Sequence, residues 1–233
     1  MLIVQKRNYP VAFLRPSYVN RGPGYTQYAV QMRCVREDFY AKTFTLHYIS
    51  DGNIYLRILY KKQEFLIPLI VILKGIGNYS DREIYTQLMK GRHQNSGLSD
   101  KIEVLIKTAK SLCLYTQQQF LEYLGRNFRL LLGINSQYSD KQAGEIFLAE
   151  NICPHLSEAS DKFYTLCLMV DKLYALVDGE VKPENLDSMA VHEVLLPGHL
   201  YLMILREKLE DALSYVKARM IKDAYTQNFM KIR

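Results

Sequence analysis

The spacing of apolar residues changes at Pro68, and this change constrains the fold more than any other feature of the 233-residue chain. Before Pro68, apolar side chains alternate with polar ones, most clearly from Tyr28 to Cys34. Because residues two apart share one face of a strand, this alternation predicts half-buried strands. After Pro68, apolar residues recur three and four positions apart, which is helical spacing. We therefore predict an α+β fold, with antiparallel strands over about 1–67 and a mainly helical part over about 69–220.

Within the predicted strands, the segment 42–62 favours a β-hairpin around Asp51-Gly52-Asn53. A three-residue loop would pair Tyr48 with Leu56 and would place all apolar cross-strand partners on one face. Asn53 would then occupy the left-handed backbone position that such a loop requires.

Three capping boxes predict where helices start, because the first residue of each can accept a hydrogen bond from the backbone of the fourth. They are Ser80 with Glu83, Thr116 with Gln119, and Ser139 with Gln142. The later stretch 163–176 is apolar on nearly every side, which is typical of a helix that is either central to a core or covered by another protein. Its polar pair Asp171-Lys172 predicts the most exposed side of that helix.

The polar segment 179–188 predicts the best domain boundary in the chain. Beyond Pro197-Gly198, apolar residues at helical spacing predict a last long helix. They are Leu202, Leu205, Leu209, Leu213 and Val216.

Motifs of catalysis and metal binding are absent from the sequence. The four cysteines form no Cys-x-x-Cys pair, and His192-Glu193 lacks the second histidine of a zinc-protease motif. We predict no catalytic, cofactor-binding or metal-binding residue. The longest apolar run, from Phe65 to Leu73, is too short for a membrane helix, which needs about 20 residues.

The net charge of +6 is unevenly distributed, since residues 1–42 carry +5 and residues 93–187 carry −4. A surface that binds nucleic acid would therefore lie in the first third of the chain. Strand alternation predicts an exposed basic surface that could contact nucleic acid or a partner, formed by Arg33, Arg57, Lys61 and Lys62. An ordinary solvated face of a sheet explains the same pattern equally well.

A series of short motifs extends over nearly the whole chain. They are Arg21-Gly22-Pro23-Gly24-Tyr25-Thr26-Gln27-Tyr28, Met32-Arg33-Cys34-Val35-Arg36-Glu37, Tyr60-Lys61-Lys62 with Phe65 and Pro68, Tyr123-Leu124-Gly125, His155-Leu156, Lys162-Phe163-Tyr164-x-Leu166-Cys167-Leu168-Met169-x-x-Lys172-Leu173, Pro197-Gly198 and Glu207-Lys208-Leu209. In their residues and their order, these motifs resemble the second-largest subunit of eukaryotic RNA polymerase I.

The resemblance implies that the chain is a fragment of a longer polypeptide. Residues 17–187 would form the lobe, a domain beside the DNA cleft. The neighbouring domain is the protrusion. Residues 1–16 would be the end of its first passage, and residues 188–233 would return into it. The family's magnesium and zinc sites map onto no residue of this chain.

The function that the resemblance implies is a non-catalytic scaffold and docking domain of the polymerase that transcribes the ribosomal RNA precursor in the nucleolus of the nucleus. Its implied partners are the largest subunit, a heterodimer related to an initiation factor, and a small zinc-ribbon subunit, with DNA nearby in the whole enzyme. We expect the isolated fragment to be monomeric.

Two other functions remain open on the residues alone. A sequence-independent nucleic-acid-binding module would use the N-terminal basic face, and its binding would weaken steeply with salt. A hydrolase would need a deep pocket in which several ionisable groups from distant parts of the chain converge.

Overall fold

A computed structural model of the chain describes residues 3–6, 10–14, 24–36, 40–60, 63–90, 96–133, 138–185 and 187–230. The chain divides into two compact units, one comprising Met1–Lys6 and His192–Arg233 and the other comprising Arg7–Val191. Strands dominate before Pro68 and helices after it, which confirms the predicted α+β class.

The strands are β1 (Ile3–Lys6), β2 (Val11–Leu14), β3 (Tyr25–Val35), β4 (Ala41–Ile49), β5 (Ile54–Tyr60), β6 (Gln63–Pro68) and β7 (His192–Leu195). The helices are α1 (Leu69–Ile76), α2 (Asp81–Met89), α3 (Ser96–Ser111), α4 (Gln117–Leu132), α5 (Asp140–Asn151), α6 (Ala159–Val177) and α7 (Pro197–Met230), with a short 3-10 helix at Met189–Val191.

The larger unit begins with a five-stranded antiparallel sheet in the order β2-β3-β4-β5-β6, so that each strand pairs with its neighbours in sequence. Alternation along the strands places Val30, Leu46 and Leu56 in one row on the face that packs against the helices, where each is fully buried. Helices α1 to α6 complete the same core. The side chains of this core all belong to the larger unit.

β4 and β5 form the predicted hairpin, but its register differs from the prediction by two residues. Tyr48 pairs with Ile54, and the loop consists of residues 50–52. The left-handed position belongs to Gly52, at φ +86°, so the prediction for Asn53 is wrong. Glycine takes this conformation without the steric cost that a Cβ adds. Because the shift is two residues, every side chain keeps its predicted face.

All three predicted capping boxes are present at the starts of α2, α4 and α5. In α2, for example, the backbone N–H of Glu83 donates to Ser80 Oγ at 3.2 Å, and the backbone N–H of Ser80 donates to Glu83 Oε2 at 2.7 Å. These pairs satisfy N–H groups that have no partner within the helix.

α6 is the central helix of the larger unit and packs against α1, α2 and the sheet. The prediction that Asp171 and Lys172 mark its most exposed side is wrong, because both side chains form ion pairs with other parts of the unit. The exposed positions are instead Tyr164 and Leu168, with 53% and 48% of their surface accessible.

α4 and α5 approach each other closely through two glycines. A Cβ on Gly125 would lie 1.8 Å from the carbonyl oxygen of Asp140, and a Cβ on Gly144 would lie 2.1 Å from that of Leu121. Since real atoms do not approach so closely, only glycine at both positions permits this crossing.

The smaller unit pairs β1 with β7 in an antiparallel ribbon and contains the long helix α7. The five apolar residues that predicted α7 are all exposed, together with further large apolar residues of the same helix. β7 has no counterpart among the strands predicted from the sequence.

Candidate interaction surfaces

Two of the four basic residues singled out from the sequence belong to the described residues, whereas Lys61 and Lys62 lie outside them. Arg33 lies on β3 and Arg57 on β5, with β4 between them. Both are half-buried on the sheet face opposite the core row. The Arg57 guanidinium forms an ion pair with Glu64 of β6. Arg57 is therefore not the freely exposed cation that alternation predicted.

Cations also surround two tyrosine rings at one end of the sheet. Lys42 Nζ lies 4.9 Å from the centroid of the Tyr60 ring and 5.5 Å from that of the Tyr40 ring. The guanidinium of Arg36 lies 5.6 Å from the Tyr40 ring centroid. Such cations are attracted to the negative face of the ring. Lys42 is not among the predicted contact residues, because it is the pairing of β4 with β5 that brings it to Tyr60.

One lysine is buried within the helical layer. Lys162 is 7% exposed, and its Nζ donates to the carbonyl oxygens of Leu148 at 3.3 Å and Ala149 at 3.5 Å. These carbonyls lie near the C-terminus of α5, where helix carbonyls lack partners and the dipole favours a cation. Burial lowers the pKa of Lys162. The side chain thus has a structural role as a cap on α5.

The thiols of Cys34 and Cys167 are buried and resist ionisation. A hydrogen bond with the Cys153 side chain, followed by burial, raises the pKa of Cys34. Burial raises the pKa of Cys167 to about 12. His155 is half-buried, and burial together with the charge of Lys162 lowers its pKa. Because the thiolate is the reactive form of cysteine, Cys34 and Cys167 are unsuited to covalent catalysis at neutral pH.

An aromatic groove lies between the start of α2 and the start of α6, and we call it the α2–α6 groove. The rings of Tyr79 and Phe163 stack at its base, with centroids 3.9 Å apart and planes 18° apart. The Tyr164 ring meets Phe163 edge-on at 5.7 Å. The groove has a volume of about 340 Å³ and is lined by Tyr79, Arg82, Glu83, Thr86, Gln87, Phe163 and Tyr164.

The local sequence determines the shape of this groove. The capping box of Ser80 and Glu83 starts α2 beside the aromatic base, which places Arg82 and Thr86 one helical turn apart along the groove. Gly77 precedes the groove, and a Cβ there would lie 2.5 Å from the Tyr79 ring. A larger residue at position 77 would therefore displace that ring.

In the described part of the chain, no group of three or more His, Cys, Asp or Glu side chains is arranged to hold a metal ion. None of the helices described there is both long and apolar enough to cross a membrane.

Comparison with known proteins adds a family match over most of the chain. Residues 17–195 match the family described as RNA polymerase Rpb2, domain 2.

Individual relatives are similar over all or nearly all of the chain. DNA-directed RNA polymerase I subunit RPA2 of Euplotoides octocarinatus is 50% identical over 237 residues, which cover 100% of this chain and 20% of the relative. The protein of the same name from Homo sapiens is 41% identical over 239 residues, covering 100% and 21%. A probable subunit RPA2 of Schizosaccharomyces pombe is 43% identical over 223 residues, covering 96% and 19%.

Proposed function

The chain belongs to the family of RNA polymerase Rpb2, domain 2, and from this membership we propose that it is a non-catalytic scaffold and docking domain within the second-largest subunit of RNA polymerase I. The sequence resemblance to that subunit is confirmed by relatives 40–50% identical. The chain spans about a fifth of the length of these curated relatives. RNA synthesis is therefore proposed as an activity of the whole assembly, which would transcribe the ribosomal RNA precursor in the nucleus and its nucleolus.

In this proposal, residues 17–187 form the lobe, and residues 1–16 and 188–233 belong to the protrusion. The lobe would flank the DNA cleft and bind other polymerase I subunits, namely the largest subunit, the initiation-factor-like heterodimer and the small zinc-ribbon subunit. The catalytic magnesium and the zinc of the full-length subunit would be held by residues outside this chain.

One observation carries the docking role. Tyr164 and Leu168 are exposed one turn apart on α6, a helix whose other large apolar side chains are buried in the core. Contiguous exposed apolar surface is typical of protein-interaction sites, and we propose that this pair is part of such a site. The extensive apolar surface of α7 supports the scaffold role in the same way.

The proposal is tested by size-exclusion chromatography of the purified chain with each purified polymerase I partner. We expect co-elution with at least one partner at micromolar concentration and no RNA elongation by the chain alone. The proposal fails if no partner co-elutes, or if the chain by itself extends RNA on a template.

A second candidate function is sequence-independent binding of nucleic acid by the N-terminal basic face. The packing of Lys42 and Arg36 against Tyr40 and Tyr60 favours it, because single-strand binders combine cations with aromatic rings. A filter-binding titration with single-stranded DNA tests it. This function requires an affinity that falls steeply with salt and is lost when Arg57, Lys61 and Lys62 are replaced by glutamine.

A further inference from the structure

We infer that the α2–α6 groove binds an extended segment of another polymerase subunit in which a large apolar side chain lies next to an aspartate or glutamate. This inference rests on the proposed docking function and assigns it to a specific surface. The apolar side chain would pack on the aromatic base, and the carboxylate would pair with Arg82.

The aromatic base is available for such a contact. Phe163 is only 2% exposed, so it supports the Tyr79 ring from below, and Tyr164 stands beside it with 53% of its surface accessible. Aromatic rings held in this way bury a large area with little loss of conformational freedom, because the partner finds them already ordered. A volume of about 340 Å³ accommodates one or two side chains.

The groove lining carries one cation, Arg82, and one anion, Glu83. Arg82 is exposed, and its guanidinium forms no ion pair with a carboxylate in the part of the chain that the structure describes. Its two acidic neighbours in sequence are already engaged. Asp81 pairs with Lys74, and the Glu83 carboxylate accepts hydrogen bonds from the backbone N–H and the hydroxyl of Ser80.

The engagement of Glu83 is reflected in its ionisation. Its hydrogen bonds with Ser80 lower the pKa of Glu83, so the carboxylate stays bound to the helix start at neutral pH. Because Ser80 holds the Glu83 carboxylate at the helix start, Arg82 is the charged side chain of the lining that can pair with a partner's carboxylate through a charge-assisted hydrogen bond.

A peptide fits this surface better than a nucleic acid does. Proteins that follow a phosphate backbone use several cations in a row, and the groove is lined by a single one. Arg82 beside the apolar base of the groove can pair with a single carboxylate of a peptide whose neighbouring apolar side chain packs on that base.

Site-specific photocrosslinking in assembled RNA polymerase I tests the inference. A benzophenone amino acid replaces Tyr164 in the full-length subunit, and crosslinked peptides are identified by mass spectrometry. We expect a peptide from another subunit that carries Asp or Glu within two residues of a large apolar residue. The same replacement at Tyr115, which is exposed but does not line the groove, is the control and should not capture that peptide.

A charge reversal makes the test specific for Arg82. Arg82→Glu should lower the yield of the Tyr164-position crosslink at least about fivefold, whereas Arg126→Glu, at an exposed position of α4, should leave it unchanged. A crosslink to nucleic acid, to the same polypeptide or to nothing would overturn the inference, as would equal yields in the two variants. If the wild-type chain still co-elutes with a partner subunit in such a case, the docking function survives and only this surface is ruled out.

Discussion

The four cysteines differ sharply in their surroundings. Cys34, Cys153 and Cys167 are buried, and Cys113 is exposed just after α3. The raised pKa values of Cys34 and Cys167 keep those thiols protonated far above neutral pH. Burial and protonation act in the same direction, since both withhold the reactive thiolate from solvent.

We predict that iodoacetamide at pH 8 alkylates Cys113 in the native chain and leaves the buried Cys34, Cys153 and Cys167 unmodified. Intact-mass and peptide mass spectrometry would show one added group in the native protein and four after unfolding in guanidinium. Cys113→Ser is the matched control and should abolish the native reaction. Native alkylation of Cys34 at the rate of Cys113 would contradict the burial described here.

Gly52 is the residue on which the hairpin loop depends. A Cβ added there would lie 3.5 Å from Val104, which is ordinary contact, so its cost would come from the backbone at φ +86°. We predict that Gly52→Ala destabilises the chain by about 1 kcal/mol in urea unfolding. Gly52→Asn should lose less, because asparagine tolerates the left-handed region. Equal stability of the alanine variant and the wild type would refute this role.

The left-handed position of the hairpin loop falls on Gly52 and not on Asn53, and the contacts of these two residues explain why. Gly52 and Asn53 can both take the left-handed position, and the register decides between them. Asn53 has other contacts in the structure: its backbone N–H donates to Asp51 Oδ1 at 3.0 Å, and its Oδ1 accepts from Thr108 of α3. A local sequence pattern cannot predict the hydrogen bond to Thr108, because the two residues are 55 positions apart in the chain.

At the scale of elements, the crossing of α4 and α5 depends on contact between backbones. We predict that Gly125→Ala and Gly144→Ala each destabilise the larger unit by at least about 2 kcal/mol, because the helices must move apart to accept a methyl group. The midpoint of urea unfolding followed by circular dichroism measures this. Arg126→Ala, at the exposed neighbouring position of α4, should change stability by no more than about 0.5 kcal/mol. Similar midpoints for all three variants would show that the crossing is not tight.

Elements with local signals were predictable. The starts of α2, α4 and α5 are encoded within four residues each, and the structure has all three capping boxes. β7 was missed because four residues are too few to establish a period, and its strand partner, β1, lies nearly 190 residues earlier in the chain. The exposed side of α6 was misjudged because partners of Asp171 and Lys172, namely Lys90 and Glu184, come from other segments.

Across the whole molecule, the described side chains that form the hydrophobic core lie in the larger unit. We predict that a chain of residues 7–191 folds cooperatively and melts within about 3 °C of the full chain, because its core is complete. It should also be monomeric in sedimentation velocity, since it lacks the exposed apolar residues of α7. Differential scanning calorimetry provides the comparison. Loss of cooperative melting on removing the smaller unit would show that the core depends on it.

The candidate interaction surfaces combine residues from distant parts of the chain. Four basic residues were predicted as a possible contact surface, and that assignment remains a prediction. Arg57 is half-buried and paired with Glu64, which alternation alone could not reveal because the pairing depends on the register of β5 with β6. The α2–α6 groove was not predicted, since it combines residues about 80 positions apart.

The amino-acid sequence was sufficient to predict the class of the fold, the starts of three helices and the family, and it predicted that α6 is either central to the core or covered by another protein. Each of these depends on a periodicity or a motif, which are properties of neighbouring residues. The hairpin register, the pairing of the charged side chains and the existence of the α2–α6 groove became clear from the three-dimensional structure. These features depend on which distant segments contact each other. The packing of the whole core determines those contacts, so no short stretch of sequence is sufficient to predict them.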